Sequence, residues 1–360
     1  MTRYKISEIG EVVSGGTPST KYKEYYSTNK DISWITPKDL SGYTKMYISN
    51  GERYITSKGL NNSSAKMLPK DTILISSRAP IGYVAIAQKE LATNQGFKSI
   101  IPDKTKILPE FLYFTMITKK SELENIATGS TFKEVSGKVM KNFEIDVPTI
   151  EKQKQIIDKL IPIVRKIELN NEINTNLFEL ANIIFQQSFN CNGNIPLSHY
   201  FLPKRGKNLL KKNVEPGAVP VVAGGLKPAA YHNISNTETP VITISASGAN
   251  AGYVQIWGQK VWSSDSSYID SSITDNIYFW YIFLKSRQKQ IFDAQTGSAQ
   301  PHIYPKHIGN LLISELDEEQ VQSFNKKVTP IFEKIFQNQR NNSVMEDVKN
   351  SLLYKFFNDY

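Results

Sequence analysis

The chain has 360 residues, enough for two or three domains that each bury a core without staples. Its formal net charge of +9 favours an anionic partner, and only seven of the 43 basic residues are arginines, so each guanidinium fork matters. A lone cysteine, Cys191, excludes an internal disulfide and a cysteine-rich zinc site, and with no apolar run near bilayer length the expectation is a cytoplasmic protein.

Residues 1–148 mix short β-type runs with turns. Thr72-Ile73-Leu74-Ile75 and Tyr83-Val84-Ala85-Ile86-Ala87 read as strands, set off by Pro69-Lys70-Asp71 and by Pro80. Pro109-Glu110 then opens a helix whose apolar face runs through Phe111, Leu112, Phe114, Leu123 and Ile126 until Gly129 stops it. In residues 149–190 the pattern changes: Ile156, Leu160, Ile163, Ile167, Asn170, Asn174, Leu177, Ala181 and Ile184 alternate spacings of four and three, which is a coiled-coil seam. As one helix this stretch would span roughly 58 Å at about 1.5 Å per residue, with Pro162 expected to kink or interrupt it.

Residues 191–314 form a second mixed module. Strands are predicted at Val219-Pro220-Val221-Val222 and Val241-Ile242-Thr243-Ile244, and a helix carries Phe279, Trp280, Tyr281, Phe283, Leu284 and Ile291. Residues 315–360 close with a second seam: Val321, Phe324, Val328, Ile331, Ile335, Asn338, Asn342, Met345, Lys349, Leu352 and Phe356.

Much of the chain is written twice. Ile163, Ile167, Asn170, Asn174 and Leu177 recur 168 positions later as Ile331, Ile335, Asn338, Asn342 and Met345, and Thr128-Gly129-Ser130 recurs as Thr296-Gly297-Ser298. Ile81-Gly82-Tyr83-Val84 matches Ala251-Gly252-Tyr253-Val254 at a shift of 170. The ordinary reading of such stripes is that each helix packs on its own module; paired asparagines at seam positions cost stability and fix register, which favours helix-on-helix pairing, and a two-fold axis would make the helices antiparallel. The expected fold class is α+β: two mixed α/β modules separated by two long antiparallel helices in a coiled coil, with a pseudo-two-fold internal repeat.

Catalytic machinery is not visible. Gly206-Lys207 lacks the upstream glycine and the following hydroxyl of a phosphate-cradling loop, and no Asn/Asp-Pro-Pro-aromatic tetrad occurs. The acidic run Glu315, Asp317, Glu318 and Glu319 precedes a helix, where carboxylates face the positive end of the dipole, and the histidines lack zinc-ligand spacing. No catalytic residue, metal or cofactor is therefore assigned to this chain.

Candidate contacts to nucleic acid cluster in loops. Ser14-Gly15-Gly16-Thr17-Pro18-Ser19 with Lys21 offers hydroxyl and amide donors for phosphate, against the plain alternative of a turn. Lys204-Arg205-Gly206-Lys207 occupies a similar early place in the second module, where solvated charge is the ordinary reading. Arg78, in Ser76-Ser77-Arg78-Ala79-Pro80, has the fork that reads guanine. Gln95 and Lys98 in Thr93-Asn94-Gln95-Gly96-Phe97-Lys98, and Gln300 and His302 in Gln300-Pro301-His302, carry groups suited to base edges or, equally, to stabilising turns. Lys38, Lys133, Lys227, Asn250 and Lys306 complete the candidate DNA-binding set.

The chain resembles the DNA specificity subunits of type I restriction-modification enzymes, over essentially its whole length. The first module matches through Val13-Ser14-Gly15-Gly16-Thr17-Pro18-Ser19, Trp34-Ile35-Thr36-Pro37-Lys38-Asp39-Leu40, Ser63-Ser64-Ala65-Lys66, Ser76 to Gly82 and Thr93 to Phe97. The second is similar to another subtype of that family through Gly217-Ala218-Val219-Pro220-Val221, Trp262-Ser263-Ser264-Asp265 and Gln300-Pro301-His302. The resemblance implies two target-recognition domains, 1–148 and 191–314, whose connecting helices, 149–190 and 315–360, act as a ruler on a bipartite site in double-stranded DNA. It also implies two methyltransferase subunits as partners, which bind S-adenosylmethionine and methylate adenine, and restriction subunits that use ATP and magnesium. Two rival readings follow from the residues alone: a DNA methyltransferase or nuclease with divergent motifs, and a carbohydrate- or protein-binding adaptor suggested by 18 tyrosines and four tryptophans.

Overall fold

The computed structural model describes residues 2–78, 80–129, 133–297 and 300–357; Ala79 of the Ser76-to-Gly82 motif and the repeat's Ser130 and Ser298 lie outside the described residues. The chain divides into two compact units, Met1–Leu169 with Asn342–Tyr360, and Asn170–Asn341.

In the first unit a five-stranded sheet runs Gly10–Ser14, Lys98–Pro102, Ile73–Ile75, Val84–Ala87, Tyr47–Ile48, antiparallel except for the last pair. The strands Ile73–Ile75 and Val84–Ala87 are apolar at every position because both faces of the sheet are covered there. Ile73, Ile75, Ile86 and Ile100 face one core with Phe111, Phe114 and Leu123, while Leu74, Ala85 and Ala87 face another with Ile35, Leu68 and Phe97. A second sheet, Tyr26–Ser27, Arg53–Ile55, Ile32–Ile35 and Ala92–Thr93, ends in a parallel pair. The single predicted helix after Pro109 is two, Pro109–Thr118 and Lys120–Ile126, joined at Lys119.

The second unit repeats this plan. Its main sheet runs Lys204–Arg205, Ser266–Asp270, Val241–Ser245, Val254–Trp257, and its smaller one Ala230–His232, Val219–Val222, Trp262–Ser263 with the last pair again parallel. Ile277–Ser286 and Gln288–Asp293 cover the main sheet. Equivalent backbone bonds fix the correspondence. In the first unit Gly82 N–H donates to the Ser76 carbonyl (3.0 Å) and Val135 N–H to the Ser77 carbonyl (2.9 Å); in the second Gly252 donates to Ser245 (2.7 Å) and Ile303 to Ala246 (2.9 Å). Gly82 and Gly252 share a left-handed conformation, φ +84 and +86, that a side chain would strain. The loop before Gly252 is thus one residue longer than the loop before Gly82, which takes the shift from 169 at Ser76 and Ser245 to 170 at the two glycines.

Two long helices complete the fold, Ile150–Ser188 and Glu318–Phe357. The first runs through Pro162 without the predicted interruption. Its start is pinned by the buried Gln153, whose amide donates to the carbonyls of Lys106 and Pro148 (both 2.9 Å) and accepts from Leu108 N–H (2.8 Å). Asp317 caps the second, accepting from Glu319 N–H at 3.0 Å, as the acidic run before that helix predicts.

Within each unit the helical stretches lie antiparallel. In the second unit Phe185 meets Phe324 (ring centroids 5.7 Å), and further along the buried Asn338 donates to Asn174 (2.8 Å). In the first, Ile156, Leu160 and Leu353 share a core and Lys159 lies 5.5 Å over the Phe356 ring. The apolar face is broader than the predicted seam: Phe185, Phe332 and Phe336 are buried, while Ile163, Leu177, Ile331 and Met345 are half-buried. Among the described residues no helix is long and apolar enough to cross a membrane.

Candidate nucleic-acid interface

In the first unit four segments converge beyond one end of the five-stranded sheet. The Ser14–Thr17 loop is tied to the Thr93–Gly96 turn by Gly16 N–H donating to the Thr93 carbonyl (2.9 Å), by Gly15 N–H to Phe97 (3.4 Å), and by the Thr17 hydroxyl to Gln95 Oε1. Ser77 N–H donates to the Gly96 carbonyl (2.7 Å), which brings in the arginine loop, and Val135 N–H to Ser77 brings in the hairpin that closes between Thr128 and Glu134. Glycine is required where the first two segments touch. A Cβ on Gly15 would lie 1.9 Å from the Asn94 carbonyl oxygen, and one on Gly16 would lie 2.2 Å from Ala65 N. The indole of buried Trp34 donates to the Gly16 carbonyl at 2.9 Å and fixes the loop from the other side.

Arg78 sits at the centre of this cluster, exposed, with its Nε 3.0 Å from Glu134 Oε2. The other oxygen of Glu134 lies 3.2 Å from Nζ of Lys98, whose side chain is only 9% exposed. Partial burial alone would raise the pKa of Glu134, but hydrogen bonds and charge from Lys98 and Arg78 outweigh it and hold the carboxyl below the usual carboxylate range. Lys98 therefore differs from the surface cation expected of it. Reaching a phosphate would require breaking a buried ion pair.

The second unit builds the same main-chain frame with other side chains. Gly206 N–H donates to the Ser266 carbonyl (2.8 Å) and Lys207 N–H to the Ser263 carbonyl (2.9 Å), as Gly15 and Gly16 do. An indole again braces the loop, Trp262 to the Lys207 carbonyl at 2.8 Å, but it comes from the other member of the parallel pair: Trp262–Ser263 corresponds to Ala92–Thr93, not to the strand that carries Trp34. Ser247 bridges to His302 where Arg78 bridges to Glu134, so Ser247 and His302 replace that ion pair. The arginine arrives from elsewhere: Nη2 of Arg205, in the short strand Lys204–Arg205 rather than a loop, lies 3.0 Å from Asp265 Oδ1, and the Ser247 hydroxyl donates to Oδ2 of the same carboxylate.

The remaining sequence candidates are surface groups or make local bonds. Ser14, Lys21, Lys133, Lys227, Gln300 and Lys306 are exposed. Lys38 is exposed and paired with Glu52 at 2.9 Å. Lys204 donates to the Ser272 hydroxyl (2.9 Å), and Asn250 to the Gly224 carbonyl (3.3 Å). His302 is half-buried with its ring 6.1 Å from Tyr304, interplanar angle 18°. Arg53, not singled out from sequence, packs its guanidinium 4.6 Å over Tyr26 and 5.1 Å over Trp34, a framework role. Residue type alone does not mark Glu134 and Asp265 as site residues, because contacts to an anion point to cations. The repeat held the signal for Glu134, since a 168-residue shift places it on His302. Among the described residues no three His, Cys, Asp or Glu side chains are grouped to hold a metal.

Comparison with known proteins bears on the family and the fold. Residues 1–179 match the family model described as type I restriction modification DNA specificity domain. The type I restriction enzyme MjaIX specificity subunit of Methanocaldococcus jannaschii is 33% identical, over 98% of this chain and 91% of its own length. The EcoR124I/EcoR124II specificity subunit of Escherichia coli is 31% identical over 43% of this chain and 39% of its own. Among solved structures, the crystal structure of a type I restriction-modification S subunit from M. genitalium has the same fold, with TM-score 0.63 and 18% identity over 100% of this chain and 96% of that one.

Proposed function

We propose a reading whose premise is membership: the chain belongs to the family of type I restriction enzyme specificity subunits, non-catalytic chains that recognise DNA sequence, and each of its two units reads one part of a bipartite duplex site. The observation that carries the proposal is the repeated main-chain frame bearing different side chains, Arg78 and Glu134 in one unit against Ser247, His302 and Arg205 in the other. Two such frames suit two half-sites of different sequence. Target recognition is assigned to residues 1–148 and 191–314, and the helical segments 149–190 and 315–360 to spacing and subunit docking.

Base contacts come from Arg78 and Gln95 in one unit and from Arg205, Asn250, Gln300 and His302 in the other. Ser14, Thr17, Lys21, Lys38, Lys133, Lys204, Lys207, Lys227 and Lys306 supply the phosphate-facing field, while Lys98 stays bound to Glu134. Two methyltransferase subunits dock on the helices and bring S-adenosylmethionine, and restriction subunits bring ATP and magnesium. The rival enzyme and adaptor readings are set aside because the relatives are specificity subunits. The test is to express the chain with its methyltransferase partner and map methylated adenines. Two unlike short motifs at a fixed spacing are expected, and a single contiguous or palindromic motif refutes the assignment.

A further inference from the structure

We propose that Glu134 is a specificity-positioning residue that aims Arg78 at a base. The inference rests on the reading of the first unit as a DNA-recognition module and goes beyond it by assigning the second member of the contact. The Glu134 carboxylate is fixed at one oxygen by Lys98, a cation with almost no exposed surface, and at its backbone by two bonds to Thr128 (2.9 and 3.1 Å). Its other oxygen takes Arg78 through Nε, the base of the guanidinium fork, at 3.0 Å. An arginine anchored there presents its two terminal nitrogens away from the anchor, the edge that pairs with O6 and N7 of guanine. The half-exposed Arg78 side chain is thus held in one orientation before DNA arrives, which reduces the rotamer freedom lost on binding.

The second unit sharpens the argument. Where Glu134 and Arg78 stand, it has His302 and Ser247, and its own arginine is held through Nη2, so the carboxylate occupies part of the reading edge itself. Positioning through Nε belongs to the first unit, and loss of it should affect one half-site alone.

The experiment uses the full chain with its methyltransferase partner on a library of duplex sites randomised in both halves. The wild type is expected to show a defined motif, with Arg78→Ala losing guanine preference at one position of one half. Glu134→Gln should relax that same position by roughly tenfold and leave the other half unchanged, and the double variant should be no more relaxed than Arg78→Ala alone. Because Glu134→Gln also removes the partner of a buried cation, Arg78→Lys provides a second arm: it keeps the charge but has no Nε anchor, and should lose the guanine preference as Arg78→Ala does. Guanine preference retained by Glu134→Gln or by Arg78→Lys overturns the proposal. So does additive loss in the double variant, or an unchanged motif in Arg78→Ala. A wild type that directs no sequence-defined methylation would instead sink the DNA-recognition reading beneath it.

Discussion

Replacing Gly15 by alanine tests whether the contact between the first loop and the Thr93–Gly96 turn builds the interface. The added Cβ would lie 1.9 Å from the Asn94 carbonyl oxygen and 2.5 Å from Thr93 Oγ1, and because the nearer atom is backbone, the two segments must separate by more than an ångström. Overpacking of this kind costs about 1–3 kcal/mol. Separation also stretches the bonds from Gly15 and Gly16 to Phe97 and Thr93, each worth about 0.5–1.5 kcal/mol, for a total of about 2–6 kcal/mol. Gly137→Ala is the control, since its Cβ would meet only Ser14 Oγ, at 3.7 Å, and it opens a helix. Urea unfolding followed by fluorescence, with Trp34 the only indole of the first unit, should show Gly15→Ala far less stable than Gly137→Ala. Equal midpoints for the two variants would refute the reasoning.

Three further outcomes are expected. Because the folded-state pKa of Glu134 is depressed, its ion pairs contribute stability above the ordinary carboxylate range and lose it as pH falls through the depressed value; urea midpoints of wild type and Glu134→Gln should differ most near neutrality and converge in acid. Asn338→Ala leaves Asn174 without that bond and should cost about 1–3 kcal/mol, whereas replacing both by leucine should be near neutral or stabilising, read by thermal unfolding. Phe332→Ala removes a ring that is 1% exposed and stacked on Tyr278 at 4.5 Å, and should cost about 3–5 kcal/mol by the same assay.

The long helices were the most legible part of the sequence, because a seam sustained over Ile150–Ser188 repeats a local rule many times. Phe185, Phe332 and Phe336 escaped it for a physical reason: these stretches pack on the sheet-bearing part of their unit as well as on each other, which widens the apolar face beyond spacings of four and three. The parallel pairings of Ile32–Ile35 with Ala92–Thr93 and of Val219–Val222 with Trp262–Ser263 join distant segments, and no local pattern announces them. The break at Lys119 was equally silent, as the apolar face continues through Leu123 on the far side. In the candidate interface, loops carrying hydroxyls, amides and arginines could be picked out by residue type. Which carboxylate holds which arginine could not, because Arg78 with Glu134 and Arg205 with Asp265 are each joined across more than fifty residues by folding alone.

The frame around each cluster is made of peptide groups, glycines and a bracing indole, and the side chains facing outward from it take little part in holding it together. Such a division lets a lineage rewrite its vocabulary without redesigning its grammar. On the proposed reading, substitutions at Arg78, Ser247 or His302 would alter what is read while the scaffold persists, so new target preferences would lie a few mutations from old ones and need not pass through unfolded intermediates.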